Sequence, residues 1–164
     1  MSQPVSEPVW LTLARGFIGT REIKGPAHNP VITGWLAKLG AWWRDDETPW
    51  CGVFVAQVFD QIGMVIPRHW MRARDWLTWG RPLVSPILGC VVVFKRDGGG
   101  HVGFCVGQTP TGYLMILGGN QGDEVNLRAF SRGRVLGYRW PLGQPLAMAA
   151  LPVLTAQPVS ESEA

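Results

Sequence analysis

The sequence predicts an α+β domain, with helices in its first half and an antiparallel sheet in its second. Two observations predict it. Up to Gly80 the chain carries segments bracketed by helix-starting and helix-stopping residues, whereas after Gly80 it carries β-branched and aromatic runs separated by glycine-rich turns. The two kinds of segment do not alternate, so the sheet is not built from strand–helix–strand units.

The elements follow in order. Residues 7–18 place Val9, Leu11, Leu13, Phe17 and Ile18 as the apolar stripe of a first helix, opened by Pro8. Asn29-Pro30 supplies an N-cap and a first-turn proline for a second helix through Leu39, which Gly40 ends. Asp45-Asp46-Glu47-Thr48-Pro49 reads as a third start: acids for the helix dipole, Thr48 as N-cap and Pro49 in the first turn. That helix runs to about Gln61 and stops at Gly63. Residues 70–79 read as a short surface helix. Strands are expected at 90–95, 102–106, 113–117 and 135–140, as a meander, with Asp97-Gly98-Gly99-Gly100 as a hairpin loop. Residues 1–141 form the domain, and 142–164, rich in Pro, Ala and Ser, read as a loose tail.

Composition bounds the function. A 164-residue chain that is 46% hydrophobic and only 16% charged buries a proper core, which excludes a largely disordered protein. No run reaches the roughly 20 apolar residues of a membrane span, and MSQPVSEPVW has neither the basic nor the apolar region of a signal peptide. The net charge of +3 comes from scattered residues without a Lys/Arg run, so no nucleic-acid partner is expected. Three cysteines, Cys51, Cys90 and Cys105, form no closely spaced pair, which argues against a disulfide framework and against zinc.

Chemistry converges on three positions. Cys51 falls in the first turn of the third helix, where backbone N–H groups and the dipole favour a thiolate; an ordinary core cysteine fits the same place. With Phe54, Val55, Val58 and Ile62 it makes the stripe turned toward the sheet. His101 shares a strand face with Gly103 and Cys105, and Gly103 leaves a gap through which a helix end can approach; a loop histidine is the plain alternative. Asn120, after the strand at 113–117, can hold an imidazole in one tautomer or simply make a turn. Pairing His101 with Phe94 across the hairpin sets Cys90 opposite Cys105, as two reduced core thiols.

Together these segments resemble the NlpC/P60 and CHAP superfamily of papain-like cell-wall hydrolases, most closely a small CHAP-like group of bacteria and phages. The resemblance rests on Asp45-Asp46-Glu47-Thr48-Pro49-Trp50-Cys51, on Val92-Val93-Phe94-Lys95-Arg96 with Gly99-Gly100-His101-Val102-Gly103-Phe104, on Leu117-Gly118-Gly119-Asn120-Gln121, and on Val135-Leu136-Gly137-Tyr138-Arg139-Trp140. It spans Trp10 to Pro141. Where relatives usually carry an acidic Gly-Asp pair before the first strand, this chain has Gly89-Cys90.

The resemblance implies a papain-like core with a Cys51–His101–Asn120 triad. Relatives use Asn, Asp, Glu or His in the third place. It implies hydrolysis of an amide in the peptide stem of peptidoglycan, as an N-acetylmuramoyl-L-alanine amidase or an endopeptidase. Trp50, Trp42, Trp43 and Gln121 are the expected substrate contacts, and most of the nine tryptophans are expected in the core. No cofactor is expected. Asp45-Asp46-Glu47 lacks the alternating spacing of a calcium loop. The expected setting is synthesis in a cytoplasm and action on the wall, as a monomeric phage endolysin released through a holin, a virion lysin, or an injected effector. A thiol protease acting on another amide, and a non-catalytic wall-binding or phage structural module, are the competing readings.

Overall fold

The computed structural model describes residues 7–155 apart from 47 and 149. Three helices come first: α1 (Val9–Arg15), α2 (Pro30–Leu39) and α3 (Cys51–Gln61). Six strands follow: β1 (Arg81–Leu83), β2 (Val91–Arg96), β3 (Gly99–Gln108), β4 (Leu114–Gly118), β5 (Asn126–Phe130) and β6 (Val135–Trp140). They form one antiparallel sheet in the order β1-β6-β2-β3-β4-β5. The chain is therefore α+β, as expected, but the sheet is not a simple meander. Four strands run consecutively, and β6 then returns to pair with β2. β1 and β5 were not expected from the sequence. β1 is three residues with a proline at its centre. In β5, Asn126 and Arg128 break the apolar run that marks the other strands.

The second helix forms as its sequence dictates. The Asn29 side chain accepts from Val31 N–H, Pro30 needs no donor, and Gly40 closes the helix at φ 79°. The third helix starts later than expected, with Trp50 as N-cap and no side-chain cap. The acids before it turn elsewhere. Asp45 Oδ1 accepts from the backbone N–H and hydroxyl of Thr48, a local turn. Asp46, fully buried, accepts from Ile23 N–H, Asn29 N–H and His28 Nδ1, so it pins the loop before α2 rather than the dipole of α3. Glu47 lies outside the described residues.

α3 is the axis of the fold. Every residue from Cys51 to Phe59 is buried, so it carries no single inward stripe. It packs on β3 and β4 with one side and on α1 and α2 with others. The expected surface helix at 70–79 is a 3₁₀ turn, Ala73–Thr78. It is not a surface element: Trp70, Trp76 and Trp79 turn inward, and the turn leans on β2, β3 and β6. Eight of the nine tryptophans are buried, and Trp42 alone stands 89% exposed.

The chain after Pro141 is not loose throughout. Gln108 N–H donates to Pro152 O at 2.8 Å and Leu154 N–H to Gln108 O at 2.7 Å, which docks this segment on the end of β3. Residues 156–164 lie outside the described part.

Candidate functional site

The hairpin from β2 to β3 has the expected register, Phe94 opposite His101. Its turn is shorter than expected, because Gly99 and Gly100 already belong to β3 and Gly98 takes the left-handed φ of 77°. His101 therefore lies inside a strand, wholly buried. The sheet curls until Phe130 of β5 stacks on the imidazole, ring centres 5.2 Å apart and planes 7° from parallel. Phe94 stacks on the same phenyl ring at 4.5 Å. The imidazole thus has little freedom to tilt.

His101 Nε2 lies 2.9 Å from Gln121 Oε1. The orientation of that amide follows from its other end. Gln121 Nε2 donates to Ile116 O, Asn126 O and Asn126 Oδ1 at 3.0–3.2 Å, all acceptors. The oxygen must then face the histidine, and it can only accept, so the network assigns the proton to His101 Nε2 and the basic lone pair to Nδ1. The residue bonded to Nε2 is thus Gln121, where Asn120 was expected. Asn120 is buried at φ 59° in the turn that delivers Gln121. A backbone that is left-handed at 120 swings the following side chain back over β4.

Glycines make this turn possible. A Cβ on Gly118 would lie 2.3 Å from Gln121 Oε1 and 3.2 Å from His101 Nε2, and one on Gly119 would meet Phe54 and the Trp50 ring within 2.8 Å. The turn is pressed directly onto the first turn of α3. Gly103 was expected to open a gap for that helix, but the space above it is filled by Ile116 and Leu117 of β4.

Cys51 sits at the first position of α3, where the first intrahelical bond runs from Phe54 N–H to Trp50 O. Burial pushes its thiol pKa up, but the hydrogen bond and charge of His101, the Val102 backbone N–H and the Arg96 guanidinium outweigh burial and hold it below its usual value. Cys90 behaves in the opposite way. Burial and its neighbour Cys105 push it well up, so Cys90 does not compete as a thiolate.

The sulfur is reached through a groove of about 430 Å³ lined by Cys51, Pro49, Met71, Ala73, Arg72, Arg74, Asp75, Arg96 and the glycines at 98–100. A second hollow of about 500 Å³ adjoins it, sharing Pro49, Met71 and Arg72 and reaching Trp42, Trp43 and His69. The turn at 68–71 presses closely on the start of α3: a Cβ on Gly52 would come 2.4 Å from Trp70 O. Trp42 and Trp43 therefore lie beside the groove. Trp50 does not. It is 1% exposed, packed on Trp35, and donates from Nε1 to Glu22 Oε1. Its N-cap backbone points the ring inward, and Pro49 takes its place at the groove wall. Gln121 likewise is buried behind His101 and does not face the groove.

A buried thiol held low by a histidine, itself held in one tautomer by a carboxamide and open to a groove, is the arrangement of a thiol nucleophile with its base. Residues 43–120 match the CHAP domain family. The match is consistent with a CHAP/NlpC/P60-like domain, and CHAP domains are generally hydrolases of peptidoglycan. It spans Trp43, Cys51 and His101 and ends at Asn120, one residue short of Gln121. No curated protein and no solved structure matches the chain.

Sequence reasoning missed three parts of the site: Gln121 as the partner of His101, the Val102 N–H at the sulfur, and the arginines of the groove. The pair Gly118-Gly119 was the available signal for the first, since adjacent glycines beside a carboxamide mark a backbone pressed against something. Among the described residues no group of three or more His, Cys, Asp or Glu side chains could hold a metal ion, and no helix is long and apolar enough to cross a membrane.

Proposed function

We propose that this chain is a cysteine-dependent peptidoglycan hydrolase that cuts an amide in the peptide stem, with Cys51 as nucleophile, His101 as base and Gln121 as the residue that orients it. The fold on this reading is papain-like, a helix bearing the nucleophile against a sheet bearing the base. The observation that carries it is geometric: Cys51, in the first turn of α3, lines the groove and is hydrogen-bonded to His101, whose other ring nitrogen is held by Gln121 at 2.9 Å. Against burial, the same histidine is the chief influence that draws the thiol pKa down. A thiol that were only a core residue would be pushed up by burial, as Cys90 is.

The steps follow from the geometry. Nδ1 takes the thiol proton and Sγ attacks the amide carbon, so the C=O electrons move to oxygen. The Cys51 backbone N–H, in the first turn of α3, is positioned to hold that oxyanion. Collapse breaks the C–N bond, and the proton on Nδ1 goes to the leaving amine. Water then gives a proton to Nδ1 and adds to the thioester carbon. The S–C bond breaks, leaving a carboxylate product and the free thiol. Trp42, exposed in the adjoining hollow beside the buried Trp43, is suited to stack on a sugar ring.

Purified cell walls test this directly. Wild type should clear a wall suspension, Cys51→Ala should not, and mass spectrometry of the fragments identifies the bond from its new termini. Equal clearing by both proteins refutes the nucleophile. A phage lysin is the setting we favour.

A further inference from the structure

Gln121 is itself held from behind. Its Nε2 donates to Asn126 Oδ1 at 3.0 Å, and the Asn126 amide can face only one way. Asn126 Nδ2 donates to Gln121 O at 2.8 Å and to Glu124 Oε1 at 3.1 Å, a carbonyl and a carboxylate, so Oδ1 is the end turned to Gln121. Glu124 accepts from Arg21 through its other oxygen, Oε2, at 2.9 Å, and its backbone carbonyl accepts from Gln121 N–H at 3.0 Å. A row of hydrogen bonds therefore runs from a carboxylate through two carboxamides to His101 Nε2, and both amides turn their oxygens toward the histidine. The turn that carries the row is fixed separately. Gly19 N–H donates to Val125 O, Val125 N–H to Thr20 O and Glu22 N–H to Asp123 O, at 2.7–2.9 Å, which sets Arg21 opposite Glu124. The Glu124 side chain is 25% exposed and that of Arg21 71%, so water screens the cation more than the anion.

We propose that Asn126 and Glu124 are positioning residues for His101, the far end of a relay that fixes the Gln121 amide and brings a negative charge to bear on the imidazole. This rests on the reading of Cys51 and His101 as thiol and base, and adds a charge to it. The group bonded to Nε2 is a neutral carboxamide, which orients the ring but carries no charge of its own. An imidazolium donates more strongly from Nε2, polarises Gln121 and through it Asn126, and the Glu124 carboxylate closes the row. A brace for the turn alone is already supplied by the backbone bonds to residues 19–22, and those bonds set no direction on the two amides.

The test uses the full chain and the pH dependence of Cys51 alkylation by iodoacetamide, which reads the thiolate whether or not any wall is cut. Glu124→Gln keeps the shape and removes the charge. It should move the alkylation midpoint to higher pH, with about a threefold loss of rate below the midpoint, because a less stabilised imidazolium holds less thiolate beside it. Arg21→Gln strips the ion pair from Glu124 but leaves its charge, so it should not raise the midpoint. Equal upward shifts in the two variants mean a simple brace and overturn the relay. An unmoved profile in Glu124→Gln overturns it too, whatever happens to the unfolding midpoint. Asn126→Ala breaks the row in its middle, and in that background Glu124→Gln should have no further effect on the profile; fully additive shifts sink the proposal. Should that variant not fold, the comparison of Glu124→Gln with Arg21→Gln decides alone. Wall clearing is read in parallel. Clearing by wild type with an unmoved Glu124→Gln profile removes the relay and keeps the hydrolase, whereas the expected shifts in a protein that clears no walls remove the hydrolase and keep the relay.

Discussion

Gln121→Leu separates a positioning carboxamide from a structural one. In the resting site the bond from His101 Nε2 to Gln121 Oε1, at 2.9 Å, joins two neutral groups. Once Nδ1 has taken the thiol proton, the same bond is donated by an imidazolium. A neutral bond contributes about 1 kcal/mol and one to a charged group about 1.5–3 kcal/mol, so the change along the reaction is about 0.5–2 kcal/mol. That is roughly a 2- to 30-fold loss of rate. Losing the bond also frees the ring to hold its proton on Nδ1, the wrong side for a base, which deepens the loss further. The readouts are wall clearing and the pH dependence of Cys51 alkylation, located by peptide mass. The alkylation profile of the variant should move to higher pH, because the thiolate loses part of what holds it low. Leucine also strands the acceptors on Ile116 and Asn126, at about 1–3 kcal/mol for each buried group left without a partner, so a lower unfolding midpoint is expected as well. Gln121→Glu keeps the acceptor for Nε2 but sets a carboxylate oxygen against the acceptors on Ile116 and Asn126, so it should recover part of the rate without recovering the unfolding midpoint. A folded Gln121→Leu protein with wild-type clearing and an unmoved alkylation profile would refute the tautomer assignment.

Four further outcomes are expected. Gly118→Ala should weaken clearing more than it lowers the unfolding midpoint, since its Cβ would meet Gln121 and His101, whereas Gly52→Ala should cost about 1–3 kcal/mol of stability in a denaturant titration because the Trp70 carbonyl cannot move aside. Under native conditions an alkylating reagent should modify one thiol per chain, at Cys51, because Cys90 and Cys105 are fully enclosed. Trp42→Ala should leave the unfolding midpoint within about 0.5 kcal/mol of wild type while reducing retention on cell walls. Asp46 is pushed up by burial but held below its ordinary 3.8 by Ile23 N–H, Asn29 N–H and His28. Its contribution is therefore complete above that range and is lost as pH falls through the lowered value. Asp46→Asn should flatten the acid limb of the stability–pH curve.

The fold was legible where one residue type has one local use. Asn29-Pro30 and Gly40 could only bracket a helix, and the apolar runs from β2 to β4 and in β6 could only be strands. Legibility failed where a residue had a distant partner. Asp46 looked like a dipole acid because the loop it pins, some twenty residues earlier, leaves no local mark. Trp50 sits beside Cys51 in sequence, but an N-cap residue and its neighbour point in different directions, so adjacency did not put it in the groove. Asn120 and Gln121 are a similar case: both carboxamides can orient an imidazole, and only the handedness of the backbone at 120 decides which one does. The positions of Cys51 at a helix start and of His101 after a glycine run were readable because each leaves a local pattern.

The rigid and the adaptable parts of the site come from different kinds of segment. Sulfur and imidazole stand on α3 and β3, at buried positions of well-packed elements, where neither can drift. The groove walls come from the stretch at 68–75 and from the tip of the β2–β3 hairpin, segments that carry several exposed side chains. Enclosure strengthens the coupling of thiol to imidazole, because charges interact more strongly away from water, but it also disfavours the thiolate unless the partners are fixed beforehand. Phe130 against the ring and Gln121 against Nε2 do that fixing. Substitutions in the walls can therefore change which peptide enters while the thiol keeps its low pKa, with Arg96 the exception, since its charge also bears on the sulfur.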